Sequence, residues 1–322
     1  MSYVFISATL NILYRIVYLS TIIIFYLFAM KIIVTGSLGH ISEPLTKDLV
    51  AKGHAVTVIS SKAERKAAIE ALGATAAIGS LEDASFLAAT FAGAEAVYAM
   101  VPPNMAAPDV LAYYRNVGHS YAQALEQAGV QRVVHLSSWG ADLDRGTGFI
   151  LGSHEVEGML DKLPNVALTH LRAGSFYYNL FGFVGMIKGM GLIGSNYGGD
   201  DKIVWAHPQD IAAAAAEELT RAATTGTTVR YVASDERTAT ETAQALGAAI
   251  GKPDLQWLTF SDEQTQQGLE QAGIPAHIAA NYVELGASIH NGTLRQDYDR
   301  HQPHVMGTVK VEDFAREFAA AF

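Results

Sequence analysis

Gly36, Gly39 and Ser42 follow directly on the β-branched apolar run Lys31–Thr35, and their G-x-x-G-x-x-S spacing carries the clearest chemistry in the chain. A glycine at 36 suits a tight turn, and a glycine at 39 allows close backbone approach. A small residue at 42 lets a helix pack on the preceding strand. A strand feeding such a turn presents the unpaired N–H groups and positive dipole end of the next helix, which favour a phosphate. On this reading Gly36, Ser37, Leu38, Gly39, His40 and Ile41 cradle the pyrophosphate of a nicotinamide dinucleotide, with serine in the third glycine's place.

A carboxylate at the end of the second strand holds the ribose hydroxyls in sites that prefer NAD, whereas basic or small polar residues there accommodate a 2′-phosphate. The second strand here, Ala55–Ser60, runs into Ser61 and Lys62, with Arg65 and Lys66 beyond and no acid before Glu64. NADP(H) is therefore the expected cofactor, with Ser61 and Lys62 near the phosphate and NAD(H) left open. The alternative is a solvated helix start carrying ordinary lysines. Ser80, after the third strand, and Met100, Val101 and Pro102, after the fourth, are expected to flank adenine and ribose, because ligands sit at the carboxyl ends of parallel strands.

The elements that must position these residues alternate. Strands are expected at Lys31–Thr35, Ala55–Ser60, Ala74–Ile78, Ala96–Val101, Arg132–Ser137 and Val166–Arg172. Helices are expected between them at about His40–Lys52, Lys62–Leu72, Asp83–Phe91, Pro108–Ala128 and Gly152–Leu163. This is the signature of an α/β, Rossmann-like, doubly wound parallel sheet. Beyond it come a helix at Phe176–Lys188, an alanine-rich helix after His207-Pro208-Gln209-Asp210, and late strands at Thr228–Ala233 and Leu255–Phe260. Further helices at Thr238–Ile250, Asp262–Ala272, Ala276–His290 and Val311–Ala321 complete a smaller, mostly helical C-terminal lobe. The chain thus divides into residues 30–172, which bind the dinucleotide, and residues 173–322, which supply the remaining sheet elements and a substrate lobe. A cleft between them is the expected substrate site.

Composition narrows the function classes. A net charge of −10 over 322 residues argues against a general nucleic-acid binder. The absence of cysteine removes disulfides, thiolate metal sites and cysteine nucleophiles. His301 and His304 flank a proline that breaks helical spacing, so no metal site is expected. Asp210 reads as a helix N-cap. Residues 1–29 carry only Arg15 as a charge and no glycine, and they are long enough for a membrane span of ~20 residues. One reading makes this segment an anchor, with Lys31, Lys47 and Lys52 placing the domain on the cytoplasmic side. The other makes Met30 the natural start of a cytoplasmic protein. The second is favoured, because a central strand beginning at Lys31 leaves no linker to a bilayer.

The turn at Val34–Ser42, the S-S-W-G at Ser137–Gly140, the L-R-A-G-S-F-Y-Y-N-L at Leu171–Leu180 and the H-P-Q-D-I-A at His207–Ala212 occur in this order. Together the chain from Met30 to its C-terminus resembles the NmrA-like, NAD(P)H-binding group of atypical short-chain dehydrogenases/reductases. The resemblance implies a Rossmann-like domain, a bound NAD(P)(H) and a small C-terminal substrate lobe. It also implies that members include quinone-type reductases and cofactor-sensing regulators without evident catalysis.

Most short-chain dehydrogenases place Tyr-x-x-x-Lys on one helix face, yet no tyrosine here has a lysine four residues on. Alcohol dehydrogenation and sugar-nucleotide epimerisation are therefore disfavoured. His154, with Glu155 and Glu157 beside it, is the candidate proton donor or ribose ligand in that region; the alternative is a surface residue at a helix start. Ser138 follows the fifth strand, where the resemblance places a substrate-orienting serine; a strand-end cap is the alternative. Trp139, Phe149, Phe176, Tyr177, Tyr178 and Tyr197 offer an aromatic wall of which two or three are expected to line a pocket, with Asn179 as a polar handle. Hydride transfer to a quinone or similar small acceptor needs proximity and a dry pocket more than a strong acid, so losing Tyr-x-x-x-Lys is compatible with such a reductase. It is equally compatible with a protein that senses cofactor redox state.

Overall fold

A computed structural model describes residues 29–222 and 224–322. The choice between membrane anchor and displaced start falls on residues 1–28 and lies outside the described residues. Among the described residues no helix is long and apolar enough to cross a membrane.

Ile32, Ile33 and Val34 have no room to expose side chains on either face, and they form the strand β1 (Lys31–Val34) at the centre of a sheet. Around it stand β2 (Ala55–Ser60), β3 (Thr75–Ile78), β4 (Ala96–Ala99), β5 (Arg132–Ser138), β6 (Ala167–Ala173) and β10 (Gly226–Val232). Their order is β3-β2-β1-β4-β5-β6-β10, with every pairing parallel. The chain reverses direction across the sheet between β1 and β4, which opens a crevice at their carboxyl ends.

Alternate residues of the strands serve two cores. On one face Ile32, Val34, Tyr98, Val134 and Leu171 pack against Leu45 and Leu49 of α1 (Ser42–Ala51) and against Ile211, Ala215 and Leu219 of α7 (Pro208–Thr220). The alanine run of α7 lets it lie close to the sheet. On the other face Ile33, Val97, Val133 and Leu168 meet α3 (Ala84–Phe91), α4 (Val110–Ala128) and α5 (Ile150–Leu160), each fully buried Val, Leu or Ile being worth ~1.5–3 kcal/mol. The helix expected at Lys62–Leu72 is a 3₁₀ turn, Ala63–Arg65, continued by α2 (Lys66–Ala71).

A third core gathers Trp139, Tyr177, Trp205, Leu246, Trp257, Phe314 and Phe318 from the later chain. The single helix expected at Phe176–Lys188 is β7 (Ser175–Phe176), a 3₁₀ segment Tyr177–Phe183 and α6 (Val184–Met190). Tyr177 is held between the rings of Trp205 (5.7 Å) and Phe314 (5.0 Å), and that anchor sets the backbone at the segment's start. Short strands β8 (Ile193–Ser195), β9 (Lys202–Ala206), β11 (Asp235–Thr238) and β12 (Trp257–Thr259) form two small sheets. Around them stand α8 (Ala239–Ala249), α9 (Asp262–Gln271), α10 (Ala276–His290), α11 (Gln296–Arg300) and α12 (Val311–Ala319).

Beneath α5 the sheet turns polar. Arg172 of β6 donates from Nε and Nη2 to both Glu157 carboxylate oxygens (3.0 and 2.7 Å), and from Nη1 to Asp297 of α11 (3.0 Å). Ser137 donates to Glu157 (2.5 Å) and Tyr231 of β10 to Asp297 (2.6 Å). Burial alone would depress the guanidinium's pKa, but the Glu157 bonds and charge outweigh it and raise it above its ordinary value. Arg172 thereby joins α5, the sheet and α11. Removing one member of a buried pair strands the other charge, so Arg172→Met is expected to cost ~3–5 kcal/mol in urea unfolding, with part recovered by adding Glu157→Gln. A loss below ~1 kcal/mol, the range of surface pairs, would show that the network does not hold these elements together.

Candidate functional site

The crevice at the strand ends holds a cleft of about 1020 Å³. Its floor is the turn after β1. Gly36 (φ +89°) and Ser37 (φ +57°) both take left-handed conformations, and a Cβ on Gly36 would stand 2.5 Å from Ser42 Oγ and 3.0 Å from Met100 Sδ. Ser42 explains its place in the spacing: its hydroxyl donates to the Thr35 carbonyl (2.7 Å), pinning the first turn of α1 to the end of β1. Ser37 N–H donates to the Ile59 carbonyl (3.1 Å) and Ser37 Oγ to Ser60 Oγ (2.9 Å), which ties the turn to the end of β2. Ser60 Oγ also accepts the Lys62 amide (3.2 Å).

Of the residues selected from sequence for the cofactor, Gly36, Ser37, Leu38, Gly39, His40, Ser61, Lys62, Ser80 and Pro102 line this cleft. Ile41 is buried under the turn in the core with Leu45 and Val34, a consequence of its inward position as α1 begins. Met100 packs against Gly36 and Val101 is buried behind it, so both back the wall from within. Arg65 joins Lys62 at the β2 end of the cleft, while Lys47 on α1 is paired with Glu43 (2.6 Å).

The aromatic residues divide sharply. Tyr178 lines the cleft and its ring stacks on His40 at 4.7 Å. Burial pushes its phenol well above the ordinary tyrosine value, so it stays neutral. Trp139 and Tyr177 instead lie in the third core, and Asn179 is exposed on the outside of the 3₁₀ segment. None of these three lines the cleft: Trp139 and Tyr177 are packed inside, and Asn179 faces outward because successive residues of a 3₁₀ segment point in different directions.

Ser138 and His154 do not line the cleft, and a short relay through the backbone of Ala141 links their segments. The Ser138 carbonyl accepts the Ala141 amide (3.1 Å), and the Ala141 carbonyl lies 2.8 Å from His154 Nδ1. That bond places the proton of a neutral ring on Nδ1. Neither carboxylate beside His154 is free, since Glu155 accepts from Arg115 (3.2 Å) and Glu157 from Arg172.

Residues that the sequence reading missed line the cleft's other end: Phe181, His207, Gln209, Phe314 and Glu317. His207 is the true N-cap of α7, its Nδ1 accepting the Gln209 amide (3.2 Å). Asp210, expected in that role, lies in the first turn and does other work. Its carboxylate accepts from Ser234 Oγ (2.6 Å), from the Thr308 amide (2.9 Å) and hydroxyl (3.0 Å), and from the Val309 amide (3.2 Å). Burial raises its pKa, but these bonds outweigh that and hold it below the usual carboxylate value. The clasp fixes the segment before α12 and so delivers Phe314 and Glu317 to the cleft. The amphipathic pattern of α12 was legible; its distant landing place had no local signal.

The chain is 26% identical over 295 residues to an NAD(P)H azoreductase of Xenophilus azovorans, spanning 90% of this chain and 99% of the relative. Among solved structures it resembles the NADPH-dependent quinone oxidoreductase of Escherichia coli complexed with NADPH (TM-score 0.76, 23% identity, 89% of this chain and 99% of that one). It also resembles the triphenylmethane reductase of a Citrobacter species (TM-score 0.72, 20% identity, 89% and 99%). At these identities the two structural likenesses are likenesses of fold. The NmrA-like family matches residues 29–287, and the chain belongs to that family.

Proposed function

We propose that this protein is an NAD(P)H-dependent reductase that prefers NADP(H) and reduces a small planar quinone or carbonyl acceptor. The observation that carries the reading is the single cleft in which the glycine turn, the basic end of β2 and a set of aromatic rings meet. The residues present fit a dinucleotide. Gly36 has no room for a Cβ beside Ser42 and Met100, so only glycine keeps the tight left-handed turn that lets the backbone after β1 approach a pyrophosphate closely. Lys62 and Arg65 line the end where a 2′-phosphate would lie, and no carboxylate interrupts Ser60–Ala63 to hold ribose hydroxyls in its stead. The names of the azoreductase and quinone oxidoreductase relatives support the same chemistry.

When bound, the reduced nicotinamide supplies a hydride. The protein's part is to bind, orient and exclude water. The turn and Lys62 fix the cofactor's phosphates, while Tyr178, Phe181 and Phe314 make an apolar wall against which a flat acceptor can lie. Such an acceptor takes its proton from water, which removes the need for a tyrosine–lysine pair.

Incubating the purified protein with NADPH and menadione should consume the reduced cofactor; tight binding with no turnover across a quinone panel would favour a redox-sensing role instead. Lys62→Ala should weaken NADPH by about tenfold, ~1.4 kcal/mol, and leave NADH within about twofold by calorimetry. If NADH binds the parent more tightly than NADPH, the assignment of the β2 end is wrong. Gly36→Ala should weaken both dinucleotides at least ~tenfold, because a left-handed φ alone costs ~1–2 kcal/mol outside glycine and the added methyl meets Ser42.

A further inference from the structure

The cleft does not end at the glycine turn. Beyond His40 it continues between the N-terminus of α7 and the C-terminal helix α12. α7 packs across β4, β5 and β6, whereas Lys62 and Arg65 stand at the opposite side, after β2. A doubly wound sheet binds the two halves of a dinucleotide over its two halves, so the α7 end is the one beside the reacting ring.

His207 is 6% exposed, yet it lines this end of the cleft. Its Nδ1 is committed as the acceptor of the Gln209 amide, which leaves the proton of the neutral ring on Nε2. Nε2 lies 3.6 Å from Glu317 Oε1, beyond a good hydrogen bond. The cap holds the ring in place, so this N–H is a directed donor at the cleft surface without a close protein acceptor. Around it Tyr178 and Phe181 supply aromatic surface, backed from the core by Phe314, which is fixed by its stack on Tyr177 (5.0 Å). A flat ring fits such walls, and a carbonyl oxygen on that ring satisfies the donor.

We propose that His207 is an acceptor-orienting residue: its Nε2–H donates to a carbonyl oxygen of a planar acceptor bound between α7 and α12, with the Gln209 amide at Nδ1 steadying the imidazole. This rests on the reductase reading above. It assigns specificity to the residue that caps α7, and not to Ser138 or His154.

The test is an equilibrium one, made on the protein saturated with NADP⁺, which has no hydride to give. Menadione and methylnaphthalene, the same ring without carbonyls, are titrated by calorimetry into the parent and into His207→Asn. Asparagine is a good N-cap, so α7 keeps its start while the side chain becomes too short to reach the cleft. The parent should prefer menadione, and His207→Asn should bind it about fivefold or more weakly, with methylnaphthalene and NADP⁺ affinities within about twofold of the parent. The proposal is overturned by a parent with no preference for menadione, by an unchanged menadione affinity in His207→Asn, or by equal losses for menadione, methylnaphthalene and NADP⁺. Failure of the reductase reading looks different: carbonyl-selective binding that depends on His207, with no oxidation of NADPH.

Discussion

The contact between Ser42 and the turn at Gly36 organises the rest of the site. Three strands and a helix converge on a volume with no space for a single methyl group. The Thr35 carbonyl takes the Ser42 hydroxyl, the Ile59 carbonyl takes the Ser37 amide, and Met100 closes on Gly36 from β4. Thr35 is the hub, because its own hydroxyl also accepts the Met100 amide (2.9 Å). The switch point between β1 and β4 is therefore defined by side-chain hydrogen bonds as well as by topology. A phosphate approaching there meets a backbone that is already set, so binding need not supply the entropy of ordering it.

The second constraint acts from far along the chain. One carboxylate, Asp210, gathers a hydroxyl from the loop after β10 and the amides of Thr308 and Val309, some hundred residues on in sequence. Lys310 adds bonds from its ammonium to the carbonyls of Ser234 (2.5 Å) and Gly307 (2.7 Å). α12 then buries Val311, Phe314 and Phe318 in the third core and turns Glu317 outward to the cleft. The α7–α12 end of the cleft is thus built by non-local bonds, while the end at the glycine turn is built within some seventy residues of chain.

That difference explains what could be read from the residues. The strand–turn–helix at Lys31–Ala51, the basic end of β2 and the long α4 each announce themselves through period, glycine placement and local caps, and each stands where the pattern puts it. Tyr177 and Tyr178 show the limit. They are neighbours in a 3₁₀ segment, yet one is fully buried between Trp205 and Phe314 while the other stacks on His40 at the cleft. No periodicity separates them; only the packing of β9 and α12 does. His207 and Asp210 failed for a related reason, since several residues of His-Pro-Gln-Asp can cap a helix and a distant partner decides which one does.

The helix that carries Tyr-x-x-x-Lys in most short-chain dehydrogenases is used differently here. α5 turns Glu157 inward, where both carboxylate oxygens are held by Arg172 and one also by Ser137. His135 and His170 lie beneath the same helix, Nδ1 to Nδ1 at 3.0 Å, with Asp161 at the helix end taking the other nitrogen of His170 (3.1 Å). Burial and the neighbouring His170 push the pKa of His135 well below its ordinary value, so it is neutral near pH 7. These polar groups are paired with one another beneath α5 and so cement α5, β6 and α11. His207, which caps α7 and lines the cleft, stands outside this network.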